Sequence, residues 1–227
     1  MSLKLAYCDH KAASYAVENW HYSKRMPLPP LVNVGVWEDG KFIGVVIFGR
    51  GAANNLGDSW GLEQTQVSEL VRVALTKHKA PVSKIVAVAI RLFKKASPGI
   101  KLLLSFADPE EGHHGGIYQA MGWGFVGNSA TTKQYFYEGR WQHNREVTAG
   151  AFGGARKMSA DQMKKLPTRE RCGKHRYALA LTDDLKPLVK ARSLPYPKRG
   201  SPKGADGDHP TERRRESDPA APFKVEK

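Results

Sequence analysis

The chain has 227 residues, which is enough for one to two average domains and for a full apolar core. Hydrophobic residues make up 41% and charged residues 26%, close to the globular average, so disorder of the whole chain is excluded. Lys and Arg number 36 against 22 Asp and Glu, and the resulting net charge of +14 favours a polyanionic partner such as nucleic acid. The alternative is a basic but otherwise ordinary enzyme.

Cysteine content and hydropathy exclude several further classes of protein. Cys8 and Cys172 are too few for a disulfide framework or a four-thiolate zinc site. No apolar run approaches the ~18 residues of a membrane span. The first residues, MSLKLAYCDHKAA, are too polar for a secretory signal. The sequence therefore predicts a soluble, cytoplasmic protein with no membrane contact.

Composition divides the chain near residue 191. Residues 192–227 hold 6 of the 14 prolines and show almost no apolar periodicity, so we expect a disordered, basic, Pro-rich tail. This segment has nine Lys or Arg and six Asp or Glu, a net charge of +3. Residues 1–191 therefore carry +11, and the basic character belongs mainly to the part that we expect to fold as one domain.

Within the first fifty residues, the sequence predicts a helix followed by a hairpin. Asp9 can cap a helix that runs to about Trp20, with apolar residues recurring at helical spacing. The runs VNVGVW and KFIGVVIFG flank Glu38-Asp39-Gly40, and Asp-Gly between two β-rich runs is a strong hairpin signal. The stretch from Arg50 to Gly61 is predicted to be a loop.

The rest of the sequence alternates between strand and helix patterns. QVSELVRVAL is a third strand candidate, and residues 82–96 predict an amphipathic helix with Pro81 in its first turn and Ser83 as a possible cap. KLLLSFAD resembles a buried strand and HHGGIYQAMG a short helix, while WGFVG, KQYFYEG and KHRYALAL are later strand candidates. The pattern leaves residues 140–171 undetermined. This alternation indicates the α/β class.

A crossover from SELVRVAL through the long helix to KLLLSFAD would make two neighbouring parallel strands. Ligands of such sheets gather beyond the carboxyl ends of the strands, which places the TKHKAP loop and Asp108 on the same rim. The loop ends at a helix N-terminus and contains Lys77 and Lys79, features that suit a pyrophosphate. An ordinary helix with a solvated basic entry remains the alternative, because the loop has no glycine-rich phosphate motif.

Polar residues on this rim are candidates for catalysis. Asp108 ends the apolar strand, and His114 and Tyr118 are four residues apart, so they are expected to share one face of the short helix. Together the three can perform acid–base chemistry or bind a metal. In the alternative, Asp108 only caps a helix and Tyr118 packs in the core.

Two further groups stand out earlier in the sequence. His21 and Tyr22 follow the first helix, where an imidazole is favourable at a helix C-terminus whether or not it reaches a cleft. Glu69 and Arg72 interrupt an apolar strand, and charges there are costly unless they are paired or functional.

The arrangement resembles the GCN5-related N-acetyltransferase fold. A strand, a loop before a helix, a strand and then GIYQAMGWGFVG are similar to the core of that superfamily, in which a Tyr often acts as general acid. The resemblance implies an α/β, acetyltransferase-like fold with a mixed central sheet flanked by helices. The chain departs from the pattern at TKHKAPVSK, which lacks every glycine of the acyl-CoA loop.

A closer resemblance extends over most of residues 15–182. ENWHYS, FIGVVIFGRGA, SELVRVAL, LLLSFADPEEGHHGGIYQAMGW and GKHRYALAL, in this order, are similar to the Mom family of DNA-modification proteins. The resemblance implies a phage-type transferase that adds a carbamoylmethyl (methylcarbamoyl) group to the exocyclic amine of adenine in double-stranded DNA. This modification protects the DNA from host restriction.

The resemblance also implies the site. The predicted catalytic residues are His21, Tyr22, Asp108, Tyr118 and Arg72, in a catalytic domain of residues 1–191. Acetyl-CoA or another donor and iron are the expected cofactors.

The expected donor-binding residues are Leu75, Lys79, Ser83 and Lys84. The expected metal ligands are three of the catalytic residues, His21, Tyr22 and Asp108.

Physical chemistry adds one requirement to this prediction. An enzyme reaches an adenine amine only after the base leaves the duplex, which costs a few kcal/mol and is offset by contacts to the DNA backbone and the base. The competing predictions are a conventional acetyl-CoA-dependent N-acetyltransferase acting on a protein or small-molecule amine, and a DNA-binding module without catalysis. The oligomeric state is open, with a homodimer as one option.

Overall fold

The computed structural model describes residues 2–51, 53, 55–148 and 158–198. The described residues form two compact units, one that ends at Leu103 and one of Leu104–Pro197. In the described part of the chain, no helix combines the length and the apolar character needed to cross a membrane.

The first unit is a sheet with two helices. Its strands are β1 (Leu3–Tyr7), β2 (Leu31–Glu38), β3 (Lys41–Gly49) and β4 (Val67–Leu75), each antiparallel to the next in the order β1-β2-β3-β4. Its helices are α1 (His10–Trp20) and α2 (Val82–Ala96), with short 3₁₀ turns at Asp58–Trp60 and Gln64–Gln66. Strand β1 was not predicted from the sequence.

Local sequence explains the helix α1 and the hairpin. The Asp9 carboxylate accepts a hydrogen bond from the backbone N–H of Ala12 and caps α1, as predicted. The hairpin turn is confirmed as well, with φ of 49° at Asp39 and 79° at Gly40. Two consecutive positive φ values are what the tight turns that match strand twist require.

Helix α2 has the predicted bounds, but its N-terminal end is not capped as predicted. Pro81 is the N-cap residue, and no side chain caps this end, so the expectation that Ser83 acts as the cap is wrong. The apolar face of α2 is confirmed, since Ile85, Val86 and Phe93 are buried. The Phe93 ring stacks on Phe48 of β3 at 4.4 Å.

The core of the first unit lies between α1 and the sheet. It consists of small and branched side chains that are fully buried: Ala13, Ala16, Val17, Val45, Ile47 and Ala74. Burying one Val or Ile side chain contributes about 1.5–3 kcal/mol, so this cluster holds α1 and the residues that follow it against the strands.

The second unit contains strands in two sheets. In one, the order is β5 (Leu102–Ala107), β10 (His175–Ala180) and β6 (Gly124–Asn128); β5 starts in the last residues of the first unit. In the other, β7 (Thr132–Tyr137) lies between β8 (Arg140–His143) and β9 (Thr168–Arg171), antiparallel to both. The helices are α3 (Gly116–Gln119), α4 (Asn144–Thr148), α5 (Ala160–Lys164) and α6 (Lys186–Arg192), with 3₁₀ turns at Pro109–Glu111 and Asp183–Leu185. The predicted α/β class is confirmed.

The described part of the chain continues past the expected domain boundary at residue 191. The backbone N–H of Leu194 donates to the carbonyl of Phe125 at 2.8 Å, and the Tyr196 hydroxyl donates to the carbonyl of Trp123 at 2.9 Å. Residues up to 197 therefore pack on the second unit. The rest of the predicted tail, 199–227, lies outside the described residues.

Candidate active-site residues

His21 and Tyr22 follow α1 as a stacked pair. His21 is the C-cap residue, its backbone N–H donates to the carbonyl of Val17, and only 9% of the residue is exposed. The Tyr22 ring lies on the imidazole, with centroids 4.3 Å apart, while half of the residue is open to solvent. The pair therefore presents one anchored ring and one accessible ring.

The local backbone fixes the protonation pattern of His21. The backbone N–H of Ser23 donates to His21 Nδ1 at 3.1 Å, and the Ser23 hydroxyl lies 2.8 Å from the same nitrogen. Because an amide N–H can only donate, Nδ1 must be an acceptor, and the proton of the neutral imidazole is on Nε2. This side chain therefore offers a hydrogen-bond donor at Nε2.

Arg72 lies beside this pair in the first unit. Its guanidinium donates to the carbonyls of Arg25, at 3.3 Å, and Val71, at 2.7 Å. Burial lowers the pKa of Arg72 from its ordinary value, while Tyr22 and Glu69 are close enough to oppose that shift. Three of the five predicted catalytic residues, His21, Tyr22 and Arg72, thus lie in the first unit, with Tyr22 stacked on His21. Tyr22 and Glu69 are both within electrostatic range of Arg72.

Asp108 directly follows β5 in the second unit and is buried, with 1% of its surface exposed. One carboxylate oxygen accepts a hydrogen bond from the backbone N–H of Glu110 and caps the turn that follows, as one of the two sequence interpretations proposed. The other oxygen lies 2.8 Å from an Arg171 nitrogen and 3.3 Å from Lys174 Nζ. Both oxygens of this carboxylate are therefore engaged within the unit.

Arg171 is a residue that the sequence analysis missed. Its guanidinium also pairs with Glu110, at 3.2 Å, and with Glu111, at 3.1 Å, so it gathers three carboxylates from one turn. The backbone N–H of Cys172 adds a hydrogen bond to Glu110 at 2.9 Å. The only sequence signal is the charge contrast between DPEEG and RERCGK, two segments that are about sixty residues apart.

Tyr118 is a buried residue of α3 with a hydrogen-bonded hydroxyl. The Ser105 hydroxyl of β5 donates to the Tyr118 oxygen at 2.7 Å. The Tyr118 ring packs against Trp123 and Tyr177, each with centroids 5.1 Å away. The packing alternative from the sequence is thus observed, and the phenol is at the same time held in one position by a partner on the strand.

His114 does not share a helix face with Tyr118, so that prediction is wrong. Helix α3 begins at Gly116, and Gly115 before it has a φ of +82°, which breaks the helical spacing. The carbonyl of His114 instead accepts hydrogen bonds from the hydroxyl of Tyr177 at 2.6 Å and from Gln119 at 3.2 Å.

Gly115 is the residue that this turn depends on. A Cβ at this position would overlap the Tyr177 ring, and positive φ already disfavours side chains. We expect Gly115→Ala to lower the free energy of unfolding by about 3 kcal/mol or more, measured by urea denaturation. Gly122→Ala is the matched control, because its φ is +71° but nothing lies within 4 Å of the added carbon, so a loss of about 1–2 kcal/mol is expected. Equal losses for the two variants would contradict this account of the turn.

His175 of β10 joins the same region of the second unit. Its Nδ1–H donates to the side-chain oxygen of Asn128 at 2.8 Å, opposite it on β6. Burial lowers the pKa of His175, nearby His114 lowers it further, and the Asp108 carboxylate opposes them. His175 lies in the GKHRYALAL motif, and no role was predicted for it from the sequence.

The expected donor-binding residues lie at the end of β4 and the start of α2. Leu75 ends β4, Lys79 is exposed in the loop, and Ser83 and Lys84 are in the first turn of the helix. The loop's backbone N–H groups of Lys79 and Ala80 donate to the carboxylate of Glu38. Two loop donors next to the helix N-terminus are thus already bonded to a carboxylate, and a pyrophosphate at this end could use only the first-turn amides of α2.

The predicted iron ligands do not fit a metal. Asp108 is neutralised by Arg171 and Lys174, and His21 carries its proton on the nitrogen that would have to bind the metal. Across the described residues, no group of three His, Cys, Asp or Glu side chains is arranged to hold a metal ion.

The predicted site thus divides into two groups. His21, Tyr22 and Arg72 belong to the first unit, and Asp108 and Tyr118 belong to the second. That all five form one cleft stays a prediction.

The solved structures to which the chain is similar are acetyltransferases and related acyl-transfer enzymes. An acetyltransferase of Bacillus subtilis in complex with CoA has a TM-score of 0.47 at 16% identity, covering 80% of this chain and 100% of that one. FeeM, an N-acyl amino acid synthase from uncultured soil microbes, has a TM-score of 0.47 at 12% identity, covering 85% and 95%.

The sequence itself defines the family. The chain belongs to the Mom protein family, whose family model matches residues 2–198. The methylcarbamoylase Mom of Escherichia phage Mu is 26% identical over 191 residues, which cover 80% of this chain and 78% of that protein. The family resemblance predicted from the ordered motifs is therefore confirmed.

Proposed function

We propose that this protein is a DNA-modifying enzyme that places a carbamoylmethyl group on the exocyclic amine of adenine in double-stranded DNA. The observation that carries the proposal is membership of the Mom family over residues 2–198, a range that contains every candidate catalytic residue. The name of the phage Mu relative, a methylcarbamoylase, supplies the group that is transferred. Protection of DNA from restriction and a place in the host cytoplasm belong to the same proposal.

The charge of the chain supports a DNA substrate. Residues 1–191 carry +11, and within them residues 129–174 hold ten Lys or Arg against four Asp or Glu. Lys and Arg side chains that contact the DNA backbone neutralise phosphates, and these contacts offset the few kcal/mol that extruding a base requires.

The first group of side chains suits an extruded adenine. Tyr22 presents a half-exposed aromatic ring that is backed by His21, and base stacking on such a ring contributes about 1–3 kcal/mol. His21 Nε2–H and the Arg72 guanidinium are donors beside it, which suits the acceptor nitrogens of a purine. We assign base binding and orientation to these three residues.

The second group suits proton transfer. In the proposed reaction, the adenine amine nitrogen forms a bond to the methylene carbon of a carbamoylmethyl donor. The proton that the nitrogen loses passes to solvent water, from which the Tyr118 oxygen later regains the proton it has given. The bond from the methylene carbon to the donor's leaving group breaks, and the electron pair stays with the leaving group. Tyr118, held by Ser105, is the residue to which we assign proton donation to the leaving group. Acetyl-CoA alone does not supply the carbamoylmethyl group, because plain acyl transfer gives an amide that lacks the second nitrogen.

Mass spectrometry of nucleosides tests the proposal. The full chain is expressed in bacteria grown with ¹³C and ¹⁵N labels, and genomic DNA is digested completely. We expect a deoxyadenosine carrying one carbamoylmethyl group in place of a hydrogen, with labelled nitrogen in the added group. Only unmodified deoxyadenosine beside abundant folded protein would contradict the proposal, and N-acetyldeoxyadenosine would favour conventional acetyl transfer instead.

A further inference from the structure

Glu38 is the last residue of β2, and its side chain reaches the loop before α2. One carboxylate oxygen accepts a hydrogen bond from the backbone N–H of Ala80 at 2.8 Å. The backbone N–H of Lys79 donates to both oxygens, at 2.9 and 3.2 Å. Only 8% of Glu38 is exposed, which is rare for a glutamate unless it is paired in this way.

The Glu38 carboxylate is stabilised as an anion in this position. The hydrogen bond from the Lys79 backbone lowers the pKa of Glu38 below its ordinary value, and the bond from Ala80 adds to the effect. Helix α2 has no side-chain cap of its own, and its N-terminal end carries a partial positive charge. The Glu38 carboxylate thus places a fixed negative charge in the loop just before this end, where a bound phosphate would otherwise be favoured.

Glu38 removes part of what a second anion would use. Two consecutive amides of the loop are occupied, Ala80 is buried and Pro81 has no N–H to donate, so only the first-turn amides of α2 are left as donors. A diphosphate approaching this loop would also meet the Glu38 charge at close range. The loop contains no glycine that would let a phosphate approach its backbone closely.

We propose that Glu38 is an internal substitute for a donor phosphate, so that this protein does not hold the diphosphate of coenzyme A at the start of α2. The donor of the proposed reaction is then recognised by other means, and Leu75, Lys79, Ser83 and Lys84 do not form a diphosphate site while Glu38 is present. Glu38 is in this sense a specificity-determining residue, since it excludes one class of donor.

Binding of coenzyme A and of inorganic pyrophosphate to the full chain tests this inference by calorimetry. We expect the natural chain to show no saturable binding of either compound that depends on the α2 loop. Glu38→Ala, which frees the two amides and removes the charge, is expected to bind both compounds saturably, with an affinity at least about tenfold above the weakest that the titration detects. Glu38→Gln removes the charge but keeps an oxygen acceptor, so its gain should be smaller.

Asp39→Asn is the matched control. It removes a negative charge from the adjacent residue, whose carboxylate accepts from the N–H of Ser2 and not from the loop. This variant should bind like the natural chain. The inference would be overturned if the natural chain bound coenzyme A and the Lys79→Ala and Lys84→Ala variants bound it more weakly. It would also be overturned if Glu38→Ala folded but gained no affinity.

A pH titration shows whether the Glu38 contact forms in solution, even if a variant binds nothing. Because the folded-state pKa of Glu38 is lowered, its contribution to stability is present above its unfolded value of about 4.3 and is lost as the pH falls through the folded value. The natural chain should therefore be more stable than Glu38→Gln near pH 7, and this difference should shrink below about pH 4. A constant difference across this range would mean that the carboxylate is not anchored as described.

Only the statement that Glu38 affects the choice of donor rests on the proposed function. Its experiments measure binding and stability, so a chain that modifies no DNA leaves them interpretable. Conversely, loss of the Glu38 inference leaves the DNA-modification experiment unaffected.

Discussion

Replacing Asp108 with Ala is expected to abolish DNA modification and to lower the free energy of unfolding by about 3 kcal/mol. The Asp108 carboxylate is almost fully buried and lies against Arg171 and Lys174. Removing the buried partner of this ion pair is costly, although Arg171 keeps its pairs with Glu110 and Glu111. The variant also loses the cap on the turn at Glu110. Urea denaturation measures stability, and the yield of modified deoxyadenosine measures activity.

Two companions separate charge from packing at Asp108. Asp108→Asn keeps an oxygen for the Glu110 N–H but loses the charge, so it should recover part of the stability and little of the activity. Glu111→Gln removes another carboxylate from the same guanidinium, but that side chain is 39% exposed and should cost less than about 1 kcal/mol. If Glu111→Gln lowered stability and modification as much as Asp108→Ala, the larger role assigned to Asp108 would be contradicted.

Measuring DNA modification by Asp108→Asn well below its unfolding temperature distinguishes a catalytic role for Asp108 from a structural one. At such a temperature the variant is folded, so a purely structural role predicts nearly natural modification. A non-catalytic DNA-binding protein would likewise keep its biological effect in this variant. The proposed function instead predicts that Asp108→Ala and Asp108→Asn both lose DNA modification.

Elements whose signals are local were predictable from the sequence. The Asp9 cap, the Asp39-Gly40 turn and the apolar face of α2 each depend on residues within a few positions of one another, and all three are confirmed. The second sheet was not predicted, because β8 and β9 are only four residues long and consist mainly of polar residues, RWQH and TRER. Such strands have no apolar alternation that a pattern can detect.

The contacts that define the candidate site are mostly long-range. Residue types and motif order identified Asp108 and Tyr118, but nothing near them in the sequence reveals Arg171, which is 63 positions from Asp108. Glu38 and Ala80 are 42 positions apart, so the sequence does not reveal that the amides of this loop are hydrogen-bonded to a glutamate. The spacing of His114 and Tyr118 misled for a different reason, since the positive φ at Gly115 starts the helix after His114.

The Tyr118 hydroxyl allows the role of a single oxygen atom to be tested. Tyr118→Phe keeps the ring that packs on Trp123 and Tyr177 and removes only the group that accepts from Ser105. If that group donates the proton in the transfer step, the rate of modification should fall by about 10²–10⁴-fold. Stability should change by only about 1 kcal/mol, the net value of one hydrogen bond.

Ser105→Ala is the control that removes the same hydrogen bond from the other side. It leaves the Tyr118 phenol in the packed pocket between Trp123 and Tyr177, so stability should fall by a similar amount while most of the activity remains. Single-turnover rates on a defined duplex, compared with urea denaturation of the same preparations, give both quantities. Equal losses of rate in the two variants would assign the effect to the hydrogen bond and its positioning of the ring. A Tyr118→Phe chain with the natural rate would remove Tyr118 from the chemistry, because the packed ring alone would then account for its presence.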